Sequence, residues 1–121
     1  MKQIFKRTWT ETFVTGGSGY VLTDPVKPGE VLEVLSLFAY APEREASDEI
    51  KVGIRSGGNE YLVADEKLSG TEDGLQVGVS FYLGEGDRLF AYFPDADNGD
   101  EMGIMVVGAL MSKEDFQGGL G

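Results

Sequence analysis

Residues 49–56, EIKVGIRS, alternate strictly, with Ile50, Val52 and Ile54 on one side and Glu49, Lys51 and Arg55 on the other. A chain patterned this way buries one face only as an extended strand, because a helix would spread the same residues around its circumference. LQVGVSFYL, 75–83, repeats the pattern, with Leu75, Val77, Val79, Phe81 and Leu83 opposite Gln76, Gly78, Ser80 and Tyr82. VLEVLSLFAYA, 31–41, is apolar at nearly every position and predicts a central strand covered on both faces. YLVA at 61–64, RLFAYF at 88–93 and MGIMVVGAL at 102–110 predict three more strands, and GYVLT at 19–23 a shorter one.

The intervening residues are turn formers. DPVKPGE supplies two prolines and Gly29 ahead of the central strand. SGGNE and GEGD are expected to be hairpin connections in which Gly57, Gly58, Gly84 and Gly86 take positive φ. Seven or eight short strands without a helix, in 121 residues, predict a single all-β domain that is a β-sandwich, jelly-roll or small barrel. Strand number favours the jelly-roll. The tail from Ser112, SKEDF, is the one stretch with a helix-start pattern. The expected organisation is an N-terminal arm or edge strand with a flexible joint over 1–19, a sandwich over 20–112 and a C-terminal tail over 113–121.

QIFKRTWTETFV, 3–14, fits two templates. Phe5, Trp9 and Phe13 share a helix face, whereas Thr8, Thr10 and Thr12 favour extended chain. As a strand, its face would run Phe5, Arg7, Trp9, Glu11, Phe13, with charges between the aromatics. Such mixed faces suit an edge or an interface, where aromatics and arginine are enriched. Phe5, Lys6, Arg7, Trp9 and Phe13 are therefore the candidate interface residues, ahead of a GGSG joint at 16–19 that lets the arm move.

Charge sharpens the contrast between this end and the rest. Residues 1–40 carry four basic and four acidic side chains, so the whole net charge of −11 lies beyond position 40. That field opposes binding to nucleic acid and to anionic membranes. No apolar run approaches the ~20 residues that span a bilayer, and MKQIFKRTWT leads into threonines rather than an apolar signal region. A soluble chain without membrane contact is expected.

FPDADNGDE, 93–101, holds four carboxylates around Asn98-Gly99. A calcium loop needs ligands at positions 1, 3 and 5, glycine at 6 and glutamate at 12. Counting from Asp95, position 5 is Gly99, position 6 is Asp100 and position 12 is Val106; counting from Asp97, position 6 is Met102. The spacing fails, and Asn-Gly predicts a turn. The chain has no histidine and no cysteine, which removes Ser-His-Asp and Cys-His nucleophiles, His- or Cys-ligated metals and disulfides. GGSGY and GEGDRL complete neither a dinucleotide nor a phosphate motif. No enzyme, metal or cofactor is expected.

VKPGEVLEVLSLFAYAP followed by GEGDRLFAYFPDADNGDEMGIMVVGAL resembles the small all-β decoration or cement proteins on the capsids of tailed phages. The Pro-Gly-Glu and Gly-Asp-x-Leu-x-Ala runs also occur in C1q-like and tumour-necrosis-factor-like jelly-rolls. The resemblance covers about residues 20–110 and brings no catalytic residues. It implies a virion-located homotrimer or dimer that grips a major capsid protein with an extended terminal arm. The alternative is a carbohydrate- or ligand-binding module using Tyr40, Tyr61, Tyr82 or Tyr92.

Overall fold

The structure, a computed structural model, describes residues 3–12, 19–41, 49–67, 74–78, 80–94 and 99–115, with the backbone alone described at 3–12, 67 and 74. These residues form nine strands: β1 (Gln3–Thr12), β2 (Tyr20–Leu22), β3 (Glu30–Tyr40), β4 (Glu49–Ser56), β5 (Asn59–Lys67), β6 (Gly74–Val77), β7 (Phe81–Leu83), β8 (Arg88–Tyr92) and β9 (Glu101–Ser112). The larger sheet runs β1-β9-β3-β6, with β7 also paired to β3, and the smaller runs β2-β8-β4-β5. Every pairing is antiparallel.

The chain is thus an all-β sandwich, and its strand order is that of a jelly-roll. Consecutive strands alternate between sheets, except that β4 and β5 pair with each other and β6 and β7 lie successively along β3. SGGNE is the hairpin expected: Ser56 pairs with Asn59, and Gly57 and Gly58 hold φ of +57° and +84°, the two positive values of a type I′ turn. GEGD is not a hairpin. It carries the chain from β7 in the larger sheet to β8 in the smaller, and of its glycines Gly86 alone has positive φ. Asp87 holds this crossing by accepting the Gly84 N–H at 2.9 Å and the Ser56 hydroxyl at 2.5 Å.

The core lies between the sheets. Leu32, Val34, Leu37 and Ala39 of β3 and Met102, Ile104 and Val106 of β9 meet Val21, Ile50, Val52, Leu89 and Ala91 of the smaller sheet. The alternation expected for β4 holds, since Ile50 and Val52 are buried and Ile54 packs against the same core. β3 departs from simple alternation, because Val34 pairs with Gly108 and Ser36 with Val107, leaving Leu35 as a bulge. The buried set therefore changes from even positions, Leu32 and Val34, to odd ones, Leu37 and Ala39. Opposite the bulge the predicted strand 75–83 breaks into β6 and β7.

Thr23 extends the short β2 along β8. It is 3% exposed; its Oγ1 accepts the Leu89 N–H at 2.9 Å, and its own N–H donates to the Leu89 carbonyl at 3.0 Å. Thr23→Val keeps the shape but strands the Leu89 N–H in the interior. Urea unfolding is expected to show a loss of about 1–3 kcal/mol. At the other end, Ser112 Oγ accepts the Asp115 N–H at 3.0 Å and starts the helical turn at 113–115, as the SKEDF pattern predicts.

Candidate interaction surface

Gln3–Thr12 is a strand, paired along its length with β9, and β1 is the edge of the larger sheet. Phe5 stands in register with Gly108, Lys6 with Val107, Arg7 with Val106 and Trp9 with Ile104. Four of the five candidate residues thus share one edge strand, while Phe13 and the joint before Gly19 lie outside the described residues. Among the described residues no strand pairs with the other side of β1, so its backbone donors and acceptors there have no ladder partner.

The surface that the sequence reading missed adjoins this edge. A sandwich has two layers, so each sheet has one covered and one outward face. The outward face of the larger sheet carries Phe38 beside Met105, and Ser36 beside Val107. Phe38, Tyr40, Met105 and Val107 are half-buried, while Leu35 at the bulge is 37% exposed and Tyr82 50%. The Phe38 and Tyr40 rings stack with centroids 5.9 Å apart and planes 18° apart. Gln76 Nε2 donates to Ser36 Oγ at 3.1 Å, and the Tyr82 hydroxyl to Glu33 at 3.4 Å, so polar groups interrupt the apolar rows.

The expectation that 31–41 is covered on both faces is therefore corrected. β3 is central within its sheet, flanked by β9 and by β6 and β7, but the opposing sheet covers only its inner side. The signal was present in the sequence: apolar residues on both faces of a strand imply two coverings, and the described residues supply one.

The four tyrosines named for ligand binding do not form one platform. Tyr40 stacks on Phe38, and Tyr92 stacks on Tyr20 with centroids 4.4 Å apart. The Arg55 guanidinium lies 5.5 Å from the Tyr20 ring centroid while bonding Glu60 at 2.6 Å. Tyr61 and Tyr82 are exposed but belong to β5 and β7, in different sheets.

In the acidic loop, residues 95–98, and with them the calcium spacing, lie outside the described residues. Gly99 has φ of +86°, and the loop carries the chain across the sandwich from β8 to β9.

No protein-family model and no curated protein sequence matches this chain. Solved structures match in fold. One belongs to the disulfide-linked pili of Bacillus endospore appendages, at 12% identity and TM-score 0.50, covering 93% of this chain and 90% of that one. Another is from the extra small virus particle of the prawn Macrobrachium rosenbergii, at 11% identity and TM-score 0.50, covering 93% and 80%. The Drosophila NLP core, described for pentamer formation and histone binding, matches at 17% identity and TM-score 0.43, covering 90% and 98%. With the first two, at TM-score 0.50, this chain shares its β-sandwich fold.

Proposed function

We propose that this chain is a non-enzymatic structural protein of a virion, a decoration or cement protein that binds a phage head shell and stabilises it as a homotrimer. The observation that carries the reading is the apolar outward face of the larger sheet, on a chain whose net charge is −11. An acidic chain repels its own copies and most surfaces, so an apolar face bordered by the β1 edge marks where a specific partner sits. Phe38, Tyr40, Met105 and Leu35 give that face its contact area, bordered by β1, where Lys6 stands in register with outward Val107 while Phe5, Arg7 and Trp9 stand in register with the inward row of Gly108, Val106 and Ile104. The sequence offers no histidine or cysteine for catalysis. The shared fold with a virus particle protein and a pilus subunit is in keeping with a structural role, and the phage assignment rests on the sequence resemblance.

The test is co-sedimentation of the full chain with phage heads stripped of accessory proteins. Wild type is expected to bind. Phe38→Ala/Met105→Ala is expected to bind at least ~30-fold more weakly, about 2 kcal/mol, the size of an aromatic anchor at an interface, with its melting temperature little changed. Undiminished binding by that variant would place the interface elsewhere. Failure of wild type to bind any head would remove the shell from the proposal.

A further inference from the structure

Each sheet has one long unpaired edge among the described residues: β1, ten residues, in the larger, and β5, nine residues, in the smaller. The remaining edges are three-residue β2 and the interrupted β6 and β7. β1 lies over β2, and β9 over β8, so β1 and β5 fall at opposite ends of the sandwich. We infer that β1 of one copy docks edge to edge on β5 of a second copy, head to tail, continuing the larger sheet of one into the smaller sheet of the next.

The two edges differ in chemistry in the way this contact needs. β1 carries Lys6 and Arg7 in succession at its centre, in register with Val107 and Val106, with Glu11 its one acidic residue. β5 carries Asp65 and Glu66, both exposed, and its Glu60 is already bonded to Arg55. Tyr61 and Leu62, 55% and 56% exposed, are the most exposed of the large apolar residues described, and they sit on the same edge. Like edges are poorly matched. Two antiparallel β5 strands centred on Val63 would set Glu60 opposite Glu66, and two β1 strands would bring their Lys6–Arg7 pairs together. Unlike edges bring cations to carboxylates, which selects the head-to-tail arrangement by charge.

A bulge at Val63, where Val52 pairs with Ala64 but Gly53 with Leu62, divides the β5 edge into two straight segments. The ladder between copies is therefore short, and side-chain complementarity has a large share in holding it. A head-to-tail contact generates a ring when its rotation closes. The inference rests on self-assembly within the proposed function and leaves the outward face of the larger sheet free for the shell.

Two charge-reversed full-length variants test it: Lys6→Glu/Arg7→Glu, which makes both edges acidic, and Asp65→Lys/Glu66→Lys, which makes both basic. Light scattering is expected to show wild type as closed assemblies of three or more copies that dissociate as salt is raised. Each variant alone is expected to associate at least ~10-fold more weakly, and an equimolar mixture of the two to re-form assemblies. Circular dichroism checks that both remain folded, and the β5 variant, changed at exposed positions alone, stands if the β1 variant does not. A monomeric wild type, a closed dimer, or a β5 variant that assembles undiminished would overturn the inference. None of these readouts depends on the shell, so shell binding without ring formation, or the reverse, separates the two proposals.

Discussion

Phe93→Ala is expected to remove about 3–5 kcal/mol of stability, the range for deleting a buried phenyl ring. Phe93 follows β8 at the crossing to β9 and is 1% exposed within the central cluster. Its N–H donates to the Gly19 carbonyl at 2.8 Å, which ties the entrance of β2 to the exit of β8. Its own carbonyl fills the space beside Gly19, where a Cβ would fall 2.4 Å away, and Gly19 has φ of +81°. The backbone at position 93 is therefore fixed against Gly19 and cannot shift to close the void that truncation leaves. A domain of this size has in all about 5–15 kcal/mol, so the loss is at least about a fifth of the total. Urea titration should show a lower midpoint at unchanged slope. A loss below about 1.5 kcal/mol would mean that the ring contributes no more than a surface apolar group.

The second large effect is expected at Gly53. It pairs with Leu62 on one side and Phe90 on the other, at the β5 bulge. A Cβ there would stand 2.2 Å from the Tyr61 carbonyl oxygen and 2.9 Å from Cε1 of Phe90. Phe90 points away from the main core yet is 2% exposed, because its ring rests over the space that a side chain at position 53 would occupy. Gly53→Ala forces the backbone of β5, not just a side chain, to move. The expected cost is about 3 kcal/mol, the upper part of the range for overpacking, read as a fall in melting temperature of roughly 10 °C or more. Shortening the neighbour with Phe90→Leu is expected to return only a minor part of it, since the Tyr61 carbonyl stays in place. A neutral Gly53→Ala would show that the β4–β5 ladder is looser than its register.

The strands were legible because they obey short-range rules. The patterns at 49–56 and 102–110 each fall within a strand of the structure, that at 88–93 overruns β8 by Phe93 alone, and Ile50, Val52 and Val77 face the core as alternation requires. The type I′ glycines and the Ser112 helix start were legible for the same reason: φ at Gly57 and Gly58, and the Ser112–Asp115 bond, involve residues close in sequence. The pattern at 75–83 reads as one continuous strand because the break in it arises from β3. Leu35 adds one residue to β3, and a partner strand forty residues away has to lose its register opposite it.

The candidate surface was half legible. Phe5, Lys6, Arg7 and Trp9 stood out by their mixed pattern, and they do share an edge strand. Phe38 and Tyr40 fall in the run 31–41 that reads as covered on both faces, and the pattern at 102–110 does not separate Met105 and Val107 from their buried neighbours, because an apolar residue looks the same in sequence whether its cover comes from its own chain or from a partner.

The sequence by itself determined an all-β chain, most of its strand positions, which side of 49–56 and of 75–83 meets the core, and a chemistry without histidine or cysteine. The tertiary structure decided which strands pair, which turns cross the sandwich, where β3 changes parity, and which edges and faces stay open. Alternation and turn geometry are settled among residues a few positions apart. Partner choice is settled by competition between distant segments for the same hydrogen bonds and the same core. Nothing in GEGD or in Asn98-Gly99 states which sheet the next strand will join. That follows only once β3 and β9 have met along Glu30–Tyr40 and the smaller sheet has closed over their inner face.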